Sequence, residues 1–258
     1  MHSENYLKTI GIALALCLAC SVLVAGSAVL LRPLQQSNKS LDMKKNILGV
    51  VGMLDQSGDI DEAFKNIEIK IVDLATGGYV ENIDVEGYDQ RKAAKDPSQS
   101  IKIPTDKDIA SIKVKATYSK VFLVKENQQI SAIILPVHGY GLWSTMYGFL
   151  ALEADGNTII GLNFYDQAET PGLGGEVVNP NWRALWKGKK VYDVNGEPAI
   201  GLVKGIVDPN RIGAEFQVDG LSGATLTSNG VTNMLRYWLS REGFASYLHK
   251  IRIEKGHS

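Results

Sequence analysis

The 258-residue chain carries a formal net charge of -1 and a pI near 6.4, so no basic excess points to nucleic acid. That length holds one sizeable domain, or two small ones, plus accessories. The hydrophobic share of 45% argues against long disorder.

One extreme segment hides in that average. Residues 9–31 contain no charged side chain, and Lys8 and Arg32 close the two ends. A helix of this length runs about 34 Å, enough to cross a hydrocarbon core of about 30 Å. The competing reading is a cleaved signal peptide with Gly26-Ser27-Ala28 as its cleavage site. Signal apolar regions typically run only about 7–15 residues, which favours an uncleaved single span in membrane lipid. Sidedness is ambiguous from charge. Arg32, Lys39, Lys44 and Lys45 follow the span, which read literally puts the main domain in the cytoplasm. Large domains, however, translocate largely regardless of charge. With no ionisable group inside it, this span anchors or packs through Gly11, Ala15, Ala19, Gly26 and Ala28, and does not conduct ions by itself. Cys17 and Cys20 have C-x-x-C spacing but sit in the apolar run, where cysteine is an ordinary small hydrophobe. A cluster shared with a partner subunit is the alternative.

The chain then partitions into an N-terminal tail (1–8), a transmembrane helix (9–31), a polar linker (32–42) and one domain (43–258). Residues 43–54 have a helix-like apolar pattern, and Ile67, Ile69 and Ile71 alternate as in a half-buried strand. Residues 84–104 are charged and poor in large apolar groups, a loop or surface excursion. Strand alternation returns at 112–117, and 130–137 (ISAIILPV) is a continuous apolar run. Segments 149–153 and 158–164 flank Asp155-Gly156, a hairpin signal, and 191–194 and 199–204 flank Asn195-Gly196 in the same way. Residues 181–187 read as a short helix capped by Asn179 or Asn181, and 227–239 as a helix with Val231, Leu235 and Trp238 on one face. The class is α+β: an N-terminal transmembrane helix, then a mainly antiparallel sheet with flanking helices.

The most informative stretch is 219–231, DGLSGATLTSNGV. A strand with Ala214, Phe216 and Val218 inward runs into a Gly- and hydroxyl-rich turn and then a helix. The first N–H groups of a helix lack internal partners, and the dipole there favours an anion. A phosphate on this turn finds those donors, close approach at Gly223, and hydroxyls from Ser222, Thr225, Thr227 and Ser228. The plain alternative is that Thr225 or Thr227 caps the helix.

Asp219-x-x-Ser222-Gly223-Ala224-Thr225 resembles the flavinylation motif of the FMN-binding domain family. That family includes flavin subunits of the sodium-translocating NADH:quinone reductase and of the Rnf ferredoxin-linked complex. The resemblance implies FMN joined as a phosphoester to Thr225, delivered from FAD by a separate flavin transferase. It implies that Ser222, Gly223 and Ala224 shape the turn, and that Asp219 is read by the transferase. Glu169-Thr170-Pro171-Gly172-Leu173-Gly174 is similar to the family's E-T-P-G-L-G loop, which implies a fixed turn lying against the flavin. Gly139-Tyr140-Gly141-Leu142-Trp143 is a third similar segment; Trp143 either packs near the ring or plugs the core. Lys204 is a cation offered to flavin or phosphate, or merely solvated.

The likeness covers most of 130–239. The length between anchor and residue 130, and the Y-L-H-K-I-R tail, tilt it toward the sodium-translocating NADH:quinone reductase branch. It implies an electron-carrier subunit among other subunits of a membrane respiratory complex, in a bacterial inner membrane with the flavin domain periplasmic. No Walker loop, dinucleotide fingerprint or nucleophile elbow occurs, and the histidines (His2, His138, His249, His257) have no metal-site spacing. A colourless binding module with Thr225 as a cap, and a stand-alone flavin reductase, are the readings from other classes.

Overall fold

The computed structural model describes residues 3–54 and 59–256; His2 and His257 lie outside the described residues. The chain divides into two compact units, Met1–Lys44 and Lys45–Ser258.

The described residues of the first unit are helical, within α1 (Ser3–Val50). Tyr6–Val50 is the one described helix long and apolar enough, by length and composition, to cross a membrane. Residues 32–42 are not the irregular linker their polarity implied; they are helical. Pro33 removes a single backbone hydrogen bond, no glycine occurs there, and Leu34, Gln35, Gln36, Lys39 and Leu41 are good helix formers. Polarity in this stretch marks solvent exposure along a helix.

The second unit is α+β. After the end of α1 come α2 (Ile60–Phe64), β1 (Ile67–Asp73), α3 (Gln90–Ala93), β2 (Ser100–Lys102), β3 (Val114–Ala116), β4 (Tyr118–Glu126), β5 (Gln129–Tyr140), β6 (Thr145–Glu153) and β7 (Ile159–Asp166). A 3-10 turn (Gly174–Val178) leads to α4 (Pro180–Ala184), then β8 (Gly201–Val203), a second 3-10 turn (Ala214–Phe216), β9 (Gln217–Asp219), α5 (Thr225–Leu239) and α6 (Ala245–Gly256). The main sheet is antiparallel in the order β1-β4-β5-β6-β7.

Both faces of this sheet are covered, which explains the unbroken apolar run at 130–137. Leu123, Ile133, Leu135, Val137, Leu150 and Leu162 join the core that includes α5, whose Val231, Met234, Leu235 and Trp238 are all fully buried. Phe122, Val124, Ala132, Ile134, Phe149 and Ala151 alternate with them onto the other face and pack with Ile47, Leu48 and Val50 from the end of α1. A polar pin fixes that end: Asn163 Nδ2 donates to the Asn46 carbonyl at 2.8 Å. Gly161 clears the way, because a Cβ there would lie 2.6 Å from the Val50 carbonyl oxygen.

Two local expectations change. The Asn195-Gly196 turn forms, but its hairpin shrinks to one bridge, Tyr192 to Pro198, since proline offers no ladder N–H. Strand β8 instead pairs in parallel with β9. Residues 214–216, expected as the start of that last strand, make the second 3-10 turn, with Ala214 and Val218 buried. Segment 84–104 holds α3 and β2, the latter paired with β3.

Two measurements follow from this packing. Leu48→Ala empties a fully buried site on the second face and is expected to cost about 2–5 kcal/mol in chemical unfolding of the domain. His138 lies between Tyr147 and Trp238, and burial, then Arg91, pushes its pKa from 6.5 down to about 4. The unfolded chain therefore binds the extra proton first, and stability falls as pH drops from 6.5 toward 4. This group's share reaches about 3 kcal/mol at the acid end. His138→Phe should flatten that slope in urea titrations at stepped pH.

Candidate functional site

Three segments far apart in sequence meet at the N-terminus of α5. Thr225 is the first residue of that helix and is exposed. The N-cap is Ala224, which supplies no side-chain hydrogen bond, so neither Thr225 nor Thr227 caps the helix. Ser228 N–H is the first to find a helical acceptor, the Ala224 carbonyl at 2.9 Å. The N–H groups of Thr225, Leu226 and Thr227 precede it, where no intrahelical acceptor exists. The Ser228 hydroxyl stays inside the turn, accepting from Leu221 N–H and donating to the Ala224 carbonyl, both at 3.0 Å. Gly223 adopts φ +69°, in the left-handed region, and a Cβ on it would sit 2.9 Å from Leu173 Cδ2. The turn and the 169–174 loop are thus in direct apposition.

Glu169 is the hub. It is only 5% exposed, yet it is charged. Its Oε1 accepts from Leu142 and Trp143 N–H at 3.0 Å each and from Ser144 N–H at 3.4 Å. Its Oε2 accepts from the Thr227 hydroxyl at 2.6 Å and from Leu142 N–H at 3.2 Å. Burial alone would raise its pKa; the Thr227 hydroxyl and the three N–H groups outweigh that and hold it below the ordinary glutamate value. It is therefore ionised throughout the physiological range. Thr227 is 1% exposed, so its hydroxyl acts from beneath the helix start, not on the surface.

Around this hub the loops are tied to themselves. The Thr170 carbonyl accepts from Leu173 and Gly175 N–H at 3.1 and 2.9 Å, and Gly172 takes φ +76°. Ser144 Oγ accepts from Ala168 N–H at 2.9 Å. Gly174 is packed so closely that a Cβ would lie 2.5 Å from Thr227 Oγ1 and 2.8 Å from Glu169 Oε2. Trp143 does not plug the core: its side chain is 64% exposed, beside exposed Leu142, and Leu173 and Leu226 are exposed on the neighbouring segments.

Asp219 and Lys204 lie at the strand end of the same turn. Asp219 Oδ1 accepts from Val207 N–H at 2.9 Å, and its carbonyl accepts from Trp182 Nε1 at 3.0 Å, so it fixes the 205–207 loop. Gly220 N–H donates to the Gly205 carbonyl at 2.9 Å, next to exposed Lys204. Ser222 is exposed on the turn. The residues that sequence reasoning missed are those that seat α5. A Cβ at Gly230 would lie 2.5 Å from the Tyr140 carbonyl oxygen, and one at Gly139 would lie 2.8 Å from Met234 Cβ. A glycine inside a helix was the available signal, because it costs about 1 kcal/mol unless close packing needs it.

An exposed hydroxyl at a helix start with free N–H donors, beside exposed apolar side chains, suits a ligand with a phosphate and a planar ring. Residues 141–240 match the FMN-binding domain family, which defines the class. Similarity then extends along nearly the whole chain. It is 49% identical over 255 residues to the NqrC subunit of the Na(+)-translocating NADH-quinone reductase of Pseudomonas aeruginosa, covering 97% of this chain and 98% of that protein. The structure resembles Shewanella oneidensis NqrC with a TM-score of 0.75 at 35% identity, covering 82% of this chain and 96% of that one. It also resembles the same subunit of the Na(+)-translocating NADH-quinone reductase from Parabacteroides distasonis, with a TM-score of 0.63 at 30% identity over 84% and 96% of the two chains. The chain belongs to the NqrC family of Na(+)-translocating NADH-quinone reductase subunits.

The packing around Gly174 can be tested directly. Gly174→Ala drives a methyl into the Thr227–Glu169 contact and is expected to cost about 1–3 kcal/mol in chemical denaturation. Alanine at Gly172, where nothing lies within 4 Å, meets only its positive φ and should cost less.

Proposed function

We propose that the chain carries FMN as a phosphoester on Thr225 and relays single electrons between neighbouring centres of a sodium-translocating NADH:quinone reductase. The observation that carries this reading is the placement of Thr225: exposed at the first position of α5, behind an N-cap that offers no side chain. A capping threonine turns its oxygen back onto the helix. Thr225 is free to be esterified.

Attachment follows from that geometry. A flavin transferase supplies FAD; the Thr225 Oγ–phosphorus bond forms, the pyrophosphate bond breaks, AMP leaves, and the hydroxyl proton goes to solvent or AMP. The free N–H groups of the first turn and the helix dipole hold the resulting phosphodiester charge. Gly223 lets the backbone approach closely, Ala224 leaves room at the cap, and exposed Ser222 offers a further hydroxyl. Leu142, Trp143, Leu173 and Leu226 offer apolar surface to the ring, and Glu169, Thr170, Gly172 and Gly174 set the loop that presents Leu173. Lys204 is a nearby cation on the strand leading past the turn, and Asp219 is the motif residue the transferase reads. When bound, the flavin supplies one-electron chemistry; the protein supplies position and field.

The same reading makes the chain non-catalytic alone, with NADH oxidation, quinone reduction and sodium movement on partner subunits. It places residues 9–31 across a bacterial inner membrane and the flavin domain on the periplasmic side. The names of the relatives support the sodium-translocating complex over an Rnf-type assembly, and the Ala224 cap counts against a colourless module in which Thr225 caps the helix.

The test is co-expression with and without a flavin transferase, followed by in-gel flavin fluorescence and peptide mass. The Thr225 peptide should gain FMN less one water, and Thr225→Ala should stay dark while folding normally. A transferase-treated wild type that remains unmodified sinks the proposal.

A further inference from the structure

We infer that Glu169 is the positioning residue for the acceptor hydroxyl: through Thr227 it locks the first turn of α5 to the 142–144 loop and thereby fixes where Thr225 is presented. This rests on the tethered-flavin reading and goes beyond it, since Glu169 reaches neither the Thr225 hydroxyl nor any other group on the esterified side.

Four donors converge on the Glu169 carboxylate: three consecutive backbone N–H groups and one hydroxyl. Only an acceptor-only group with several lone-pair sites satisfies such a set; a glutamine amide would turn an NH2 toward at least one N–H. No cation contributes to holding it ionised, so those dipoles are what keep the buried charge in place. Glycine clears the pocket from two sides, since a Cβ at Gly141 would lie 2.5 Å from Oε1 and one at Gly174 2.8 Å from Oε2. Thr227 lies two residues beyond Thr225 in the same helical turn, so its hydroxyl, held at 2.6 Å from Oε2, sets the turn's rotation and height. A carboxylate that served folding alone would be replaceable wherever the domain tolerates the loss. One that serves positioning affects the transfer step even when folding is intact.

The experiment uses the full chain in detergent with a purified flavin transferase and FAD, measuring kcat and KM for labelling and then the visible circular dichroism of the attached flavin. Thr227→Val should lower kcat about tenfold and Glu169→Gln about a hundredfold, the scale on which small misplacements act. KM for the chain should change by no more than about twofold, as expected when binding is untouched and only the reacting geometry is lost. Thr227→Ser, which restores the hydroxyl, should recover both the rate and the dichroic band. Far-ultraviolet spectra and cooperative melting identify variants that remain folded. If Glu169→Gln does not fold, the Thr227→Val and Thr227→Ser pair decides alone. Folded Thr227→Val labelled at the wild-type kcat with an unchanged band, or a serine variant that fails to rescue, overturns the inference. Failure of the wild type itself to take flavin on Thr225 overturns the functional reading instead.

Discussion

A buried carboxylate satisfied by four donors is the constraint around which the site is organised. Glu169 joins a loop between two strands, a glycine-rich loop after the sheet and the first turn of a helix near the C-terminus. Removing any donor leaves an ionised group short of partners in a low-dielectric setting, which is costlier than never having made the bond. The arrangement is therefore all-or-none in character. It also explains why glycines crowd this corner: at positions 141 and 174 a methyl would occupy the space the carboxylate needs.

That corner is held in turn by the sheet. Strand β5 ends at Tyr140, and its last residues carry α5 on their surface, with Gly139 against Met234 and Trp238 Nε1 donating to the His138 carbonyl at 2.6 Å. From the other side, Thr232 Oγ1 accepts from Leu202 N–H at 2.9 Å and Arg236 Nε donates to the Ile200 carbonyl at 3.1 Å. The helix axis is thus fixed by the core and by β8, while its rotation at the first turn is fixed by Glu169. Residues 204–207 are drawn to the same turn by the Asp219 side chain, so the motif aspartate has a structural task besides any recognition.

How much of this was legible in the sequence follows from the range of each interaction. Strands β1, β5, β6 and β7 and helix α5 announce themselves through alternation, turn dipeptides and periodicity, which are local signals. The parallel pairing of β8 with β9 was not legible, because partner choice between distant short segments leaves no local pattern. Residues 32–42 mislead because polarity there resembles irregularity, although their intrinsic helix propensity is good. The site divides in the same way. The motif residues stand out one by one, but the hydrogen bonds from residues 142–144 and Thr227 that meet on Glu169 span 25 to 58 positions. Only the fold brings them together.

The division between buried and exposed hydroxyls in 222–228 gives the site its chemical direction. Ser228 is consumed by the turn and Thr227 by Glu169, both from the inner side of the helix start. Ser222 and Thr225 face outward, and of these only Thr225 lies on the helix itself, where the unpaired N–H groups are. A conventional cap would have met those donors with a side-chain oxygen and left nothing for a ligand to complete. With alanine at the cap, the first turn relies on Glu169 and Ser228 for rigidity and has its donors still to offer. On the proposed reading the phosphate esterified to Thr225 takes the place of the missing cap, so attaching the cofactor also completes the helix.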